Sequence, residues 1–148
     1  MATATPPVSF TLNMSRRINA PRDRVFEAFT KLDQLRQWWG PQGFTLPTAE
    51  LDLRVGGKYR FDMQSPDGSV YVVGGTYTEI NPPEKLAYTW HWEGATEEPE
   101  TLVTIEFRDV DGATELLLTH SKFSTPQEQA NHEEGWVGCL DRLTGLVS

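Results

Sequence analysis

Cys139 is the only cysteine in this 148-residue chain. No intrachain disulfide can form, so the fold needs no oxidising compartment. A reactive thiol requires a neighbouring base or cation to lower its pKa. None adjoins Cys139 in sequence, and a small buried residue on a helix face is the expectation. Cations are also scarce, 13 Lys and Arg against 21 Asp and Glu, for a net charge of −8. That balance argues against nucleic acid or an anionic membrane as the main partner. Arg16, Arg17, Arg22 and Arg24 cluster locally and read as solvated surface charge. No apolar run approaches the roughly 20 residues of a membrane span. Residues 1–9 lack the basic-plus-apolar pattern of a leader, so the cytoplasm is the default location.

Catalytic signatures are absent too. His91, His120 and His132 are the only histidines, and none is paired at i,i+4 with another. His132-Glu133-Glu134 lacks the second histidine of a zinc helix, so no metal is expected. No Ser-His-Asp arrangement, nucleophile elbow or phosphate loop stands out, and no cofactor is expected. Gly56-Gly57 and Gly74-Gly75 are too short for a phosphate cradle and read as a turn and a bulge or bend. Asp52, Arg54, Arg60 and Glu106 fall on predicted strands opposite the apolar positions, which sends them to solvent.

What the chain does have is tryptophan, five copies, beginning with Trp38-Trp39-Gly40-Pro41. Tryptophan buries a large apolar body but needs a partner for its indole N–H. Around it the hydrophobic periodicity outlines the elements. Residues 1–8 read as a loose tail and 9–148 as one domain. Phe10, Leu12 and Met14 alternate with polar residues up to Ile18, which predicts a strand. Ala20-Pro21 opens a helix with Pro at its first position, and Thr30 with Asp33 resembles the cap of a second short one. From residue 47 to 121 the period is two. Leu51, Leu53 and Val55 form one alternating set, and Tyr59, Phe61 and Met63 the next. Leu86, Tyr88, Trp90 and Trp92 share a face of a later strand. Pro66-Asp67-Gly68 and Asn81-Pro82-Pro83 are turns, and Glu93 to Glu100 is an acidic loop. Six strands with short connections imply an antiparallel meander. Thr125-Pro126-Gln127-Glu128 is a capping box opening a long helix to about Val147. Trp136, Cys139, Leu140, Leu143 and Val147 form its stripe, with His132 just upstream. Gly135 in its interior either admits close approach to the sheet or marks a kink.

The predicted class is α+β: a curved seven-stranded antiparallel sheet, two short helices after strand one, and a long C-terminal helix across the sheet. A curved sheet leaves space beneath such a helix, where concave apolar ligand sites occur. The residues expected to converge there are Trp38, Trp39, Phe44, Phe61, Met63, Tyr88, Trp90, Trp92, Phe107, His120, Phe123 and Trp136. Trp38 and Trp39 would shape the mouth, Trp90, Trp92, Phe61 and Trp136 the body, and His120 would orient a polar end. The excess of Trp and Tyr over Leu and Ile favours a lined cavity, because filled cores prefer side chains without polar tips.

Several motifs carry a resemblance. They are Arg17-Ile18-Asn19-Ala20-Pro21, Trp38-Trp39-Gly40-Pro41, Asp52-Leu53-Arg54-Val55-Gly56-Gly57, Gly75-Thr76-Tyr77-Thr78-Glu79-Ile80-Asn81-Pro82-Pro83-Glu84-Lys85-Leu86, Tyr88-Thr89-Trp90, Thr119-His120 and Gly135-Trp136. In this order they resemble the helix-grip (START-like, SRPBCC) superfamily and, more narrowly, the activators of the heat-shock-protein-90 ATPase. The resemblance implies a sheet gripping the last helix with a cavity between. It also implies a small apolar or amphipathic ligand, a role in stress, or a chaperone partner. The additional N-terminal domain of eukaryotic chaperone activators has no counterpart among these residues. A cyclase- or hydrolase-like enzyme using the cavity, and a monomer or homodimer, complete the expectations.

Overall fold

The computed structural model describes residues 10–94 and 100–148. The predicted tail and most of the acidic loop lie outside them. The elements are β1 (Phe10–Ile18), α1 (Arg22–Thr30), α2 (Leu32–Trp38), β2 (Thr45–Leu51), β3 (Lys58–Gln64), β4 (Val70–Asn81), β5 (Lys85–Trp92), β6 (Thr101–Val110), β7 (Ala113–Phe123) and α3 (Pro126–Val147). The seven strands form one antiparallel sheet in the order β1-β7-β6-β5-β4-β3-β2. Chain reversals from β2 to β7 are hairpins, and only β1 joins out of turn, beside β7. That crossover is what α1 and α2 span.

One face of the sheet holds the core. Val103, Ile105 and Phe107 of β6 and Leu116 and Leu118 of β7 are almost fully buried, and their polar neighbours alternate outward. The helix α3 covers this face, touching β1, β7, α1 and α2. Trp136, Cys139, Leu140 and Leu143 form its buried stripe. Thr125 caps α3 by accepting the Glu128 N–H, and Pro126 follows at the first turn. The Glu128 carboxylate reaches back to Ser124 rather than to the cap residue itself. No described helix is long and apolar enough to cross a membrane.

Four local expectations are corrected. Leu53 and Val55 are not strand residues. β2 ends at Leu51, and residues 52–57 form a tight turn in which Val55 is 65% exposed. Gly57 N–H bonds Arg54 O, and a Cβ on Gly57 would overlap the Asp52 carbonyl, so alternation continues by coincidence into a turn that only glycine can close. Asp52 and Arg54 pair with each other there, 2.6 Å apart and exposed. Pro21 is the N-cap of α1, not its first residue. Thr30 does not cap α2: it ends α1 and donates its hydroxyl to Phe26 O, and Lys31 precedes α2 without a side-chain cap. Gly74-Gly75 is not a bulge towards β3, because both pair in register, with Arg60 and Tyr59. Glycine is required at 75 because a Cβ would overlap the Thr89 carbonyl of β5. The irregularity in β4 falls later, between Tyr77 and Glu79.

Candidate functional site

The α2–β2 connection, the ends of β3, β4 and β5, and α3 enclose a partly open cavity of about 260 Å3. The connection contributes Trp39, Gly40, Pro41 and Phe44, the strands Met63, Tyr71, Trp90 and Trp92. The helix contributes Asn131, His132, Gly135, Trp136 and Cys139. These positions on α3 recur at one-turn spacing, so a single face of the helix roofs the space. Gly135 leaves it open: a Cβ there would meet nothing within 4 Å. Close approach occurs one turn on, where a Cβ on Gly138 would lie 3.3 Å from Pro41 Cα. That approach is to the α2–β2 connection and not to the sheet, so the helix–sheet contact expected at Gly135 is not what either glycine provides.

Arg142 holds the tryptophan-bearing connection in place. Its Nη1 lies 3.0–3.2 Å from the carbonyl oxygens of Trp39, Gly40, Pro41 and Phe44, and its Nη2 is 3.3 Å from Gln37 O. Four acceptors exceed the two hydrogens of that nitrogen. The guanidinium thus acts as a shared cationic cap for a nest of carbonyls at the reversal, among them Pro41 O, which also accepts the Phe44 N–H.

Of the twelve residues expected to line the site, the structure brings together six: Trp39, Phe44, Met63, Trp90, Trp92 and Trp136. Trp39, Trp90 and Trp136 pack with ring centroids 5.4–5.9 Å apart and form one wall. The other six lie elsewhere. Trp38 is fully buried behind the wall, edge-on to Phe29, with its indole N–H donated to Ala28 O at 2.9 Å. Phe107 packs on Phe26 and Phe29. Phe61 and Tyr88 line a separate crevice of about 10 Å3 with Tyr59 and Tyr77. Phe123 stacks on His120, centroids 4.3 Å apart.

His120 is wholly buried and both its nitrogens are engaged. An indole N–H can only donate, so Trp136 Nε1, 3.1 Å away, makes His120 Nδ1 an acceptor. The proton of the neutral ring then sits on Nε2 and is donated to Thr101 Oγ1 at 2.7 Å, whose own hydroxyl reaches Trp90 O. Burial, with His132 adding to it, lowers the His120 pKa from 6.5 to about 3. Its role in this geometry is to anchor two cavity tryptophans from behind. His132 does the same at the rim: Trp92 Nε1–H donates to its Nε2 at 3.0 Å, and its Nδ1–H donates to Glu128 O at 2.7 Å. Burial pushes the Cys139 thiol up to about 12, so it is no nucleophile. Burial likewise raises Tyr59 and Tyr88 well above 10. Among the described residues no group of three His, Cys, Asp or Glu could hold a metal ion. The cavity lining contains no Asp, Glu, Lys or Arg. Trp90 Nε1 is buried without a partner.

The lining residues that sequence reasoning left out are Gly40, Pro41, Tyr71, Asn131, His132, Gly135 and Cys139. The helical spacing of His132, Trp136 and Cys139 was the available signal for the roof. Nothing local marks Arg142.

The family model for Activator of Hsp90 ATPase homolog 1-like protein matches residues 19–148. The chain belongs to this family. It is 30% identical over 95 residues to the mouse Activator of 90 kDa heat shock protein ATPase homolog 1, and 28% identical to the human protein. Those alignments cover 64% of this chain but 26% of each relative, so the chain spans about a quarter of their length. Among solved structures, a protein from Chromobacterium violaceum superposes with a TM-score of 0.82 at 28% identity, covering 93% of this chain and 96% of that one. The AHSA1 protein from Silicibacter pomeroyi gives 0.81 at 28%, covering 92% and 96%. These likenesses agree with the helix-grip architecture described above.

Proposed function

We propose that this protein binds a small, largely apolar molecule in the cavity between sheet and C-terminal helix, with Trp39, Phe44, Met63, Trp90, Trp92 and Trp136 as its contact surface. The observation that carries this reading is the cavity itself: about 260 Å3, aromatic on most sides, and kept open by a glycine in mid-helix. Protein interiors normally fill such space, and apolar cavities stay dry and take up apolar guests. The lining offers few polar groups, Asn131 among them, so orientation would rest on very few hydrogen bonds. Neutral His120 and protonated Cys139 leave little acid–base chemistry near neutral pH, which supports a binder over a cyclase- or hydrolase-like enzyme.

Native mass spectrometry of the protein from its own host tests this. An extra mass that disappears on denaturation is expected. A bare mass, together with no loss of guest binding in a folded Trp90→Ala protein, would contradict the reading.

A second reading, stimulation of a chaperone ATPase, is favoured by the names of the mouse and human relatives. It would be tested by ATPase assay of a chaperone with and without the protein. Unchanged turnover would remove it.

A further inference from the structure

The lining of the cavity and of the hollow outside it differ in charge, and the difference selects a ligand class. The inner lining carries no formal charge: it has no Asp, Glu, Lys or Arg, and both nitrogens of His132 are already hydrogen-bonded. Tyr71, Trp92, Asn131 and His132 also line an outer hollow of about 380 Å3. Its remaining wall includes Val70, 53% exposed, and Glu93 and Glu128, whose carboxylates bond Arg60 and Ser124 respectively. No Lys or Arg is among its described lining residues. Arg60 pairs with Glu93 at 2.8 Å and with Asp62 at 3.1 Å, so these three groups together keep one negative charge, to which Glu128 adds a second. The start of α3 would by itself favour an anion. Its Glu128 and Gln129 amides are already bonded to Thr125, however, and the Glu128 carboxylate sets a negative charge at the same end.

A guest leaving this cavity therefore meets aromatic rings first and carboxylates next. An anion gains nothing at either station. A neutral molecule gains only at the first. An organic cation gains at both, because indole and phenol faces attract ammonium groups and the carboxylates complete the attraction. We propose that the ligand is an amphipathic organic cation, whose apolar body fills the tryptophan-lined cavity and whose ammonium group lies at the mouth beside Trp92, Tyr71, Glu93 and Glu128. This rests on the cavity-binding reading above and adds the charge and the orientation of the guest.

The test compares a cation and a neutral molecule of one shape, with a smaller aromatic anion beside them. Benzyltrimethylammonium and neopentylbenzene differ by nitrogen for carbon, and benzenesulfonate supplies the anion. Affinities are measured by tryptophan fluorescence on the full chain at low (~20 mM) and high (~300 mM) salt, because exposed carboxylates act less at high ionic strength. The cation is expected to bind at least ~5-fold tighter than neopentylbenzene at low salt. That preference should fall by at least ~2-fold at high salt and in the Glu93→Gln/Glu128→Gln double variant, with the cation–π part remaining. Glutamine at 128 keeps an acceptor for Ser124, and unchanged neopentylbenzene affinity verifies that the variant is folded. Equal or tighter binding of neopentylbenzene in the unaltered protein would overturn the cationic assignment and leave the cavity reading standing. So would tightest binding of benzenesulfonate, or a cation preference that loss of both carboxylates leaves undiminished. Binding of none of the three would overturn both.

Discussion

Replacing Gly135 by leucine should make the protein more stable and unable to bind its guest. In a helix interior glycine costs about 0.8–1 kcal/mol relative to alanine, and leucine is nearly as good a helix former. Position 135 faces open space, where an added Cβ meets nothing within 4 Å, and the cavity beyond it receives the rest of the side chain. Each buried methylene contributes about 0.8 kcal/mol, and four carbons half buried in the cavity contribute roughly 1.5 kcal/mol. The sum is about 2 kcal/mol, which for a chain of this length raises the melting temperature by roughly 4–8 °C. The same four carbons occupy the ligand volume, so neopentylbenzene affinity should fall at least ~10-fold, the equivalent of 1.4 kcal/mol. Gly135→Ala is the control, with about 1 kcal/mol of stabilisation and most of the cavity intact. Thermal melts and fluorescence titration of the three proteins decide the matter. A destabilised leucine variant would show that no free space exists at the roof. A stabilised variant that still binds with full affinity would place the guest elsewhere.

Arg142→Met should destabilise the protein by about 2–4 kcal/mol in urea unfolding, because five carbonyls lose a charged donor at once. Arg142→Lys should recover less than half, since an ammonium cannot reproduce the fork, and full recovery would show that charge alone matters. Acid should unfold the protein partly through His120. Its folded pKa, about 3, lies below the unfolded 6.5, so the unfolded state takes up the proton first. Stability from this group is complete above pH 6.5 and falls by about 1.4 kcal/mol per unit below it, until near pH 3. Between pH 6 and 4.5 the parent protein should lose roughly 2 kcal/mol more than His120→Gln, and parallel pH curves would refute the burial argument. Gly75→Ala should cost ~4 kcal/mol or more, or prevent folding, because its Cβ collides with the Thr89 carbonyl. Soluble expression and a melt near that of the parent would contradict the packing.

The architecture was legible because its elements announce themselves locally. Alternation marked β3, β5, β6 and β7, and Thr125-Pro126 with the stripe from Trp136 to Leu143 marked α3. Alternation misled only where it ran past Leu51 into a turn, since period two records which residues alternate and not whether a ladder partner exists. The site was half legible for a related reason. Trp38 and Trp39 are adjacent and both buried, yet one packs behind Phe29 and the other faces the cavity. Nothing in composition separates a filled core from a lined space when both use aromatic residues on the inner face. Asn131 escaped notice, and Gly135 was read as a contact or a kink rather than an opening, because a hydrophobicity pattern registers what fills space rather than what leaves it open. Arg142 was invisible because its partners are backbone carbonyls about a hundred residues away in sequence.

The most direct test of the cavity as the binding site uses the five indole N–H signals of uniformly 15N-labelled protein, titrated with neopentylbenzene. Trp39, Trp90, Trp92 and Trp136 line the space, while Trp38 lies behind it, tied to Ala28. Saturable shifts in the four lining indoles with Trp38 nearly unmoved are expected. A guest that saturates binding while the four stay still, or that moves Trp38 as much as the others, would contradict the site.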